Sequence, residues 1–400
     1  MKIMQKISIL LARIGNKKTF WAIIFLLALT IRLTMIFLLG ANKLHYGDEF
    51  TYYKIATSLI NGEGFSLNGE PTAIVSPAYP TFLALAMIFS KSILWLKLLQ
   101  AVLASLGVIL VYNLAKRLTG SISAKIAALA YAIYPPIAYL SAVLYPQLIG
   151  SLWILAIFYL WLLWKNRKIN AAKAFLWGIL IGIGLSLIPM LLIIAVIPSY
   201  QILRRPNTIA YALAGIILIL APWTVRNSIK FNRFIPLSTV GWANLWAGNC
   251  EYTTPSSGSF PIYRTSEGKY LQSLPLDQSI KEYRKRVLNY ICKHPVRVIY
   301  MYPLKFINFW RPYPKPITKT KASSVKYRII FAVSYLILLL FAIKGMILNW
   351  SRPEIKAIVF SMLLFAAGYA IFFTRVRFRL PAEVLLIVLG SMCFGTANKQ

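Results

Sequence analysis

Acid is scarce in this chain of 400 residues: ten Asp and Glu stand against 44 Lys and Arg, and only 14% of its residues are charged. Histidine occurs twice and cysteine three times. So little ionisable surface excludes the two or three soluble domains that the length alone would suit. Cys250, Cys292 and Cys393 lack metal-site spacing, although Cys250 and Cys292 fall in one polar region where a disulfide is allowed. There is no P-loop and no GxGxxG following a strand, so no nucleotide pocket is visible. Internal repeats are absent and acids are nearly missing from the apolar runs. A transporter or flippase built from similar halves, with ionisable groups at the bilayer midplane, would show both.

What the chain has instead is apolar length. It is 58% hydrophobic and 14% aromatic, its mean hydropathy is +0.65, and its unbroken apolar runs are of a kind that a bilayer requires. This is the composition of an all-α polytopic membrane protein. A net charge of +34 would suit nucleic acid. The basic residues, however, lie in short clusters between apolar runs, where they fix topology and meet anionic lipid. The basic start, MKIMQKISILLARIGNKK, reads as a cytoplasmic lead-in to a retained first helix.

Spans are expected at about 19–39, 93–115, 122–140, 148–164, 172–187, 189–203, 208–224, 328–343, 356–373 and 381–396, roughly ten in all, with both termini cytoplasmic. Each inward-running span then ends in Lys or Arg, for example Lys116-Arg117 and Arg204-Arg205. Residues 77–90 are too short to span and are expected to lie along the outer surface, as is the aromatic, Pro-broken stretch 294–314. The chain divides into an N-terminal membrane module (1–225) whose first outer loop is 40–92, a large outer region (226–326), and C-terminal membrane helices (327–400). This topology puts eight of the ten acids on the outer face.

The first outer loop carries GDEFTYYKIATSLINGEGFSLNGE, with Asp48 and Glu49 side by side. Gly47 or Asp48 can cap a helix there, Glu49 suits the positive end of its dipole, and Tyr52, Ile55, Ala56, Leu59 and Ile60 form an apolar stripe fit for a membrane surface. The same placement lets a carboxylate take a proton from a hydroxyl, or hold a divalent cation against a phosphate. Both readings stay open on the residues alone.

The order of this loop, followed by SPAYP, then APWTVRNSIKFNRFIPLSTVGWANLWAGN (221–249) and RVRFRLPAEVLLIVLG (375–390), resembles the membrane glycosyltransferases of the GT-C type. It is most similar to the family 39 group, the protein O-mannosyltransferase-like enzymes and bacterial relatives such as the aminoarabinose transferase of lipid A. The resemblance implies transfer of a sugar, with inversion, from a polyprenyl-phosphate carrier to a lipid, glycan or protein acceptor on the outer face of the cell membrane. It implies Asp48 as the catalytic carboxylate, with Glu49 as a second ligand or orienter. No cofactor is required by this chemistry, although Asp48 could hold a divalent cation.

Two departures accompany the resemblance. Ile74, Val75 and Ser76 stand where relatives often carry a basic residue, and Gln147 stands where they often carry an acid. Candidates for the donor phosphate are therefore Arg375, Arg377 and Arg379, which violate the positive-inside preference, and Arg226. Glu383 is expected to pair with Arg379 one turn away. Cavity or acceptor contacts are expected from Tyr52, Tyr79, Gln147, Trp242, Asn244 and Trp246. A transporter or flippase, or a non-catalytic binder, of lipid-linked sugars remains as the alternative to the enzyme.

Overall fold

A computed structural model describes residues 17–315 and 324–395. The basic lead-in, part of the outer region at 316–323 and the final residues expected in the last span lie outside them.

The chain opens with α1 (Lys17–Leu39), then α2 (Gly47–Ile60), a two-stranded antiparallel hairpin of β1 (Ser66–Leu67) and β2 (Glu70–Pro71), and α3 (Ala78–Met87). A long α4 (Ile93–Thr119) leads to α5 (Ser121–Ile133), α6 (Pro135–Ser141), α7 (Gln147–Trp164) and α8 (Ala171–Leu187). Two short pieces, α9 (Leu191–Ile194) and α10 (Val196–Ile202), precede α11 (Pro206–Phe231). The region expected outside, hereafter the outer region, holds α12 (Gly241–Gly248), α13 (Ser259–Tyr263), α14 (Ser266–Ser273), α15 (Leu276–Lys293) and α16 (Pro295–Phe309). The described chain ends with α17 (Val325–Leu348), α18 (Pro353–Ile371), α19 (Val376–Arg379) and α20 (Glu383–Ser391).

Six of these, α1, α4, α7, α11, α17 and α18, are long and apolar enough to cross a membrane. The protein is an integral membrane protein. The expected ten continuous spans are not what forms. Residues 122–140 break at Tyr134, ahead of Pro135 and Pro136, and residues 189–203 become helices of four and seven residues. The last expected span is the nine-residue α20 flanked by single 3-10 turns. Broken helices are tolerated at membrane depth when protein satisfies the freed backbone groups.

The break at Tyr134 shows how that is done. Pro135 and Pro136 have no N–H to offer the carbonyls four residues back, Tyr131 and Ala132. Arg32, fully buried in α1, donates to both, from Nη2 to Tyr131 O at 3.4 Å and from Nη1 to Ala132 O at 3.2 Å. This buried arginine of the first span braces a helix break 100 residues away. Small residues do a different job between α8 and α11: a Cβ on Gly178 would strike the Ala212 carbonyl, and one on Gly215 would strike the Phe175 carbonyl. The two helices approach at backbone distance, a packing mode that suits membranes because it gains dispersion without needing a hydrophobic drive.

The outer region has a core of its own, built from Ala243, Trp246, Ala247, Cys250, Ile262, Leu271, Tyr283 and Val287, and it closes over Phe372, Phe373 and Phe378. All three cysteines are free thiols, so the disulfide allowed by the sequence is not formed. α16 keeps Lys305 and Phe309 buried, while Val296, Ile299, Tyr300 and Ile307 on its other side are exposed by 62–79%. Spacings of three, four and seven make that a single apolar stripe, as a helix lying on a bilayer surface requires.

Candidate active site

α2 starts where the notable acids stand, and the capping is not the one its sequence suggests. The Ncap residue is Tyr46. Glu49, three residues on, turns its carboxylate back to accept from the N–H groups of His45 at 2.8 Å and Tyr46 at 3.1 Å. Its other oxygen accepts from the Leu144 N–H at 2.8 Å. Glu49 is completely buried. Burial pushes its carboxyl above the usual range, against the three backbone hydrogen bonds and the nearby Lys97 charge. It is a staple that ties the start of α2 to the segment 142–146.

Because Glu49 does the capping, Asp48 is left for something else. Its Oδ2 lies 2.6 Å from Arg377 Nη1, and the two side chains keep 48% and 36% of their exposure. Arg377 Nη1 also donates to the Tyr145 hydroxyl at 3.0 Å. The guanidinium sits over the Tyr145 ring, 5.1 Å from its centroid, and over Phe378 at 5.2 Å. Arg377 Nε is buried with no partner among the described residues. Burial works against the guanidinium charge, but Asp48 and the Tyr145 and Tyr52 oxygens more than restore it.

Tyrosines wall this pair. Tyr46 stacks on Tyr145 at 5.8 Å between centroids, and Tyr52 meets both Tyr145 and Tyr79 edge-on. Tyr79 donates to Gln100 Oε1 at 2.9 Å, and Gln100 donates to the Val143 carbonyl, so the wall is tied to the same segment that Glu49 holds. Gln147, two residues past Tyr145, is buried with its Oε1 unpaired among the described residues.

The arginines expected together separate. Arg375 points toward the outer region, its Nη1 3.5 Å from the Ser257 carbonyl. Burial and the like charge of Arg377 lower its guanidinium to about 10, which leaves it charged at neutral pH. Arg379 is fully buried: Nε donates to Glu383 Oε1 at 2.6 Å, and Nη1 donates to the carbonyls of Phe309 and Arg311. The expected pair with Glu383 is formed, Tyr134 adds a hydrogen bond to Glu383, and Arg379 is thereby part of the scaffold. Arg226 clamps the first outer loop, donating to the carbonyls of Phe65 at 2.7 Å and Thr72 at 2.8 Å. Its guanidinium stacks against Phe65 and Trp223. Trp246 is buried in the outer core beside Tyr283, Trp242 lies under Arg284, and Asn244 accepts from the Tyr263 hydroxyl at 3.3 Å.

Two anchors that the sequence did not announce hold the Arg377 segment. Lys305 Nζ donates to the Gly248 carbonyl at 3.1 Å, to Asn249 Oδ1 at 3.2 Å and to the Phe372 carbonyl at 3.0 Å. Gly248 meets the Phe372 carbonyl so closely that any Cβ there would collide with it. A lone lysine in an apolar, Pro-broken helix carries no pattern that would reveal this.

Around Asp48 the described residues do not assemble a set of divalent-cation ligands. No group of three or more His, Cys, Asp or Glu comes together among the described residues. Asp48 faces a guanidinium, Glu49 has spent both oxygens on backbone N–H groups, and Gln147 is uncharged.

No protein-family profile matches the sequence, and no curated protein matches it. Solved structures do. The archaeal oligosaccharyltransferase AglB from Archaeoglobus fulgidus, in complex with an inhibitory peptide and a dolichol-phosphate, superposes with a TM-score of 0.51 at 14% identity, over 94% of this chain and 50% of that one. The same enzyme tethered to an acceptor peptide gives 0.52 at 14% identity, over 94% and 49%. ArnT from Cupriavidus metallidurans bound to undecaprenyl phosphate gives 0.44 at 14% identity, over 93% and 77%. The chain spans about half the length of the AglB chains. On the strength of the AglB superpositions, nearly the whole of this chain has the fold of the GT-C membrane glycosyltransferases.

Proposed function

We propose that this protein is a glycosyltransferase that takes a sugar from a polyprenyl-phosphate carrier and transfers it, with inversion, to a hydroxyl or amine acceptor at the outer membrane face. The observation that carries the reading is the Asp48–Arg377 pair: a half-exposed carboxylate and a half-exposed guanidinium, 2.6 Å apart, walled by tyrosines on a GT-C scaffold. AglB is an oligosaccharyltransferase whose structures carry a dolichol-phosphate or an acceptor peptide.

The chemistry needs a proton acceptor for the attacking group and a cation for the departing phosphate. Asp48 supplies the first and Arg377 the second. When the donor phosphate enters, its oxygens compete with Asp48 for the guanidinium, whose planar fork suits a bidentate grip. The carboxylate released from the pair then takes the acceptor proton as the new glycosidic bond forms. The bond between the anomeric carbon and the phosphate oxygen breaks, and the polyprenyl phosphate leaves with that electron pair on Arg377. The tyrosine wall offers flat apolar faces to the sugar ring. No step is routed through a metal. Arg375, at the rim of the same segment, adds positive potential. Arg379 and Arg226, engaged elsewhere, are left out of the phosphate site.

The test is transfer by purified protein in lipid nanodiscs, using a panel of undecaprenyl- and dolichyl-phosphate hexoses and pentoses labelled in the sugar. Asp48→Asn should lower the rate about 10²- to 10⁴-fold, as loss of a general base does, while still binding the donor. Equal rates in variant and parent, or no transfer from any donor by the parent, would sink the reading. Donor movement between leaflets without transfer would point to a flippase instead.

A further inference from the structure

The face of the molecule remote from Asp48 carries a second concave site. α7 begins at Gln147, two residues after Tyr145, and ends at Trp164. Its 18 residues put Lys165 roughly 27 Å along the helix axis from the Arg377–Tyr145 contact. There, the turn between α7 and α8 and the junction between α10 and α11 enclose a cavity of about 430 Å³. Lys165, Arg167, Lys168, Arg204 and Arg205 all line it, and Gln201 and Asn166 add amides. The acid in contact with this set is Glu354, which pairs with Lys165.

Such a gathering is electrostatically unfavourable as it stands. Four cations beyond the paired one line the hollow, which lies between the C-terminal ends of α7 and α10 and the N-terminal ends of α8 and α11. Neither α8 nor α11 has an acid in its first turn. With helix ends of both polarities meeting there, the dipoles do not decide the balance, and the like charges around one hollow set the cost. Positive-inside placement explains why Lys and Arg occupy this face, because it acts on loops during insertion. It gives no reason for two separate loops to fold their cations around one hollow. An anion in the hollow does.

We infer that this cavity is a binding site for a phosphate-bearing anion, and that its source is the headgroup of an acidic membrane lipid. Both loops sit at the ends of membrane-length or apolar helices (α7, α8 and α11), the level at which a bilayer spanned by them would hold its headgroups. Basic pockets between membrane helices are suited to doubly charged or clustered phosphates. The three exposed arginines can present planar forks to phosphate oxygens, a geometry that lysine cannot reproduce. The site is independent of the sugar-transfer reading, and its test reads binding alone.

The test compares the parent protein with R167Q/R204Q/R205Q and with a charge-matched control, K281Q/K285Q/K293Q, on the exposed side of α15. Native mass spectrometry from a neutral detergent would count phosphatidylglycerol and cardiolipin molecules retained against phosphatidylcholine. Thermal unfolding of each variant in the same detergent, without lipid, checks folding. The expected result is retention of the acidic lipids by parent and control, with affinity at least about tenfold weaker in the arginine variant, since each basic residue near a membrane surface contributes on the order of 1 kcal/mol. Added inorganic pyrophosphate separates the sources. Failure of millimolar pyrophosphate to displace the lipid supports a lipid headgroup site. Tight pyrophosphate binding without acidic-lipid preference would overturn the lipid assignment. Equal lipid retention by all three proteins would overturn the site.

Discussion

At Asp48 and Glu49 two neighbouring carboxylates have opposite fates, and backbone hydrogen bonding decides which is which. Glu49 sits three residues past the Ncap, where its side chain reaches back to the first N–H groups. Asp48, one residue earlier, projects to the other side and finds Arg377. Glu49→Gln keeps the shape but turns an amide N–H₂ toward backbone donors. Leaving buried N–H groups unpaired costs about 1–3 kcal/mol each. A lowered thermal midpoint is expected, together with a fall in kcat at unchanged acceptor KM. An unchanged midpoint would show that the staple is dispensable. Arg377→Gln should raise the donor KM and lower kcat together, by one to three orders of magnitude in kcat/KM, as loss of a transition-state charge contact does. Arg377→Lys should recover only part, because a point charge cannot grip two oxygens. Full recovery by lysine, measured by steady-state kinetics against donor concentration, would exclude the bidentate grip.

At the scale of elements, the segment 371–377 is placed by groups that never reach the site. Lys305 and Gly248 fix Phe372, and α12 to α15 pack over Phe372, Phe373 and Phe378. Lys305 has no acid beside it, and burial lowers its ammonium to about 8. Its charged form is therefore disfavoured in the folded chain. The stability it contributes is lost as pH falls through about 8 and regained as pH rises toward the ordinary lysine range. Thermal midpoints of the parent and Lys305→Met, compared from pH 6 to pH 10, should diverge in the parent's favour above pH 8. Parallel profiles would mean that Lys305 does not titrate there. α2 carries a related lesson. Its apolar stripe was expected to face lipid, yet Ile55 and Ala56 are buried against Phe65, Trp223 and the bundle. Amphipathicity fixes which face is covered and leaves open what covers it.

Across the whole molecule, charge and apolarity set a polarity that can be checked directly. The topology proposed from basic clusters puts α12 to α16 outside and the five-cation cavity inside. Cys292, on α15, is an exposed free thiol, whereas Cys250 is buried in the outer core. A membrane-impermeant maleimide should label Cys292 in intact cells or sealed right-side-out vesicles, and Cys292→Ser should abolish that labelling. Labelling that appears only after permeabilisation would invert the topology and remove the outer-face assignment of Asp48.

The sequence by itself determined the membrane class, because composition and apolar run length are properties of the string. It also determined the long helices, whose ends fall within a few residues of α1, α4, α7 and α18, and the prominence of Asp48 in an acid-poor chain. Local rules could not reach the rest. The breaks at Tyr134 and in 189–203 depend on which distant groups satisfy the freed carbonyls, as Arg32 does for Tyr131 and Ala132. The four candidate arginines were indistinguishable as letters, since Arg375, Arg377 and Arg379 alternate along one short run. Spacing of one turn already paired Arg379 with Glu383; only tertiary structure gave Arg226 to the first outer loop and Arg377 to Asp48, 329 residues away. A charge takes its role from its partner, and partners this far apart in sequence are brought together by packing alone.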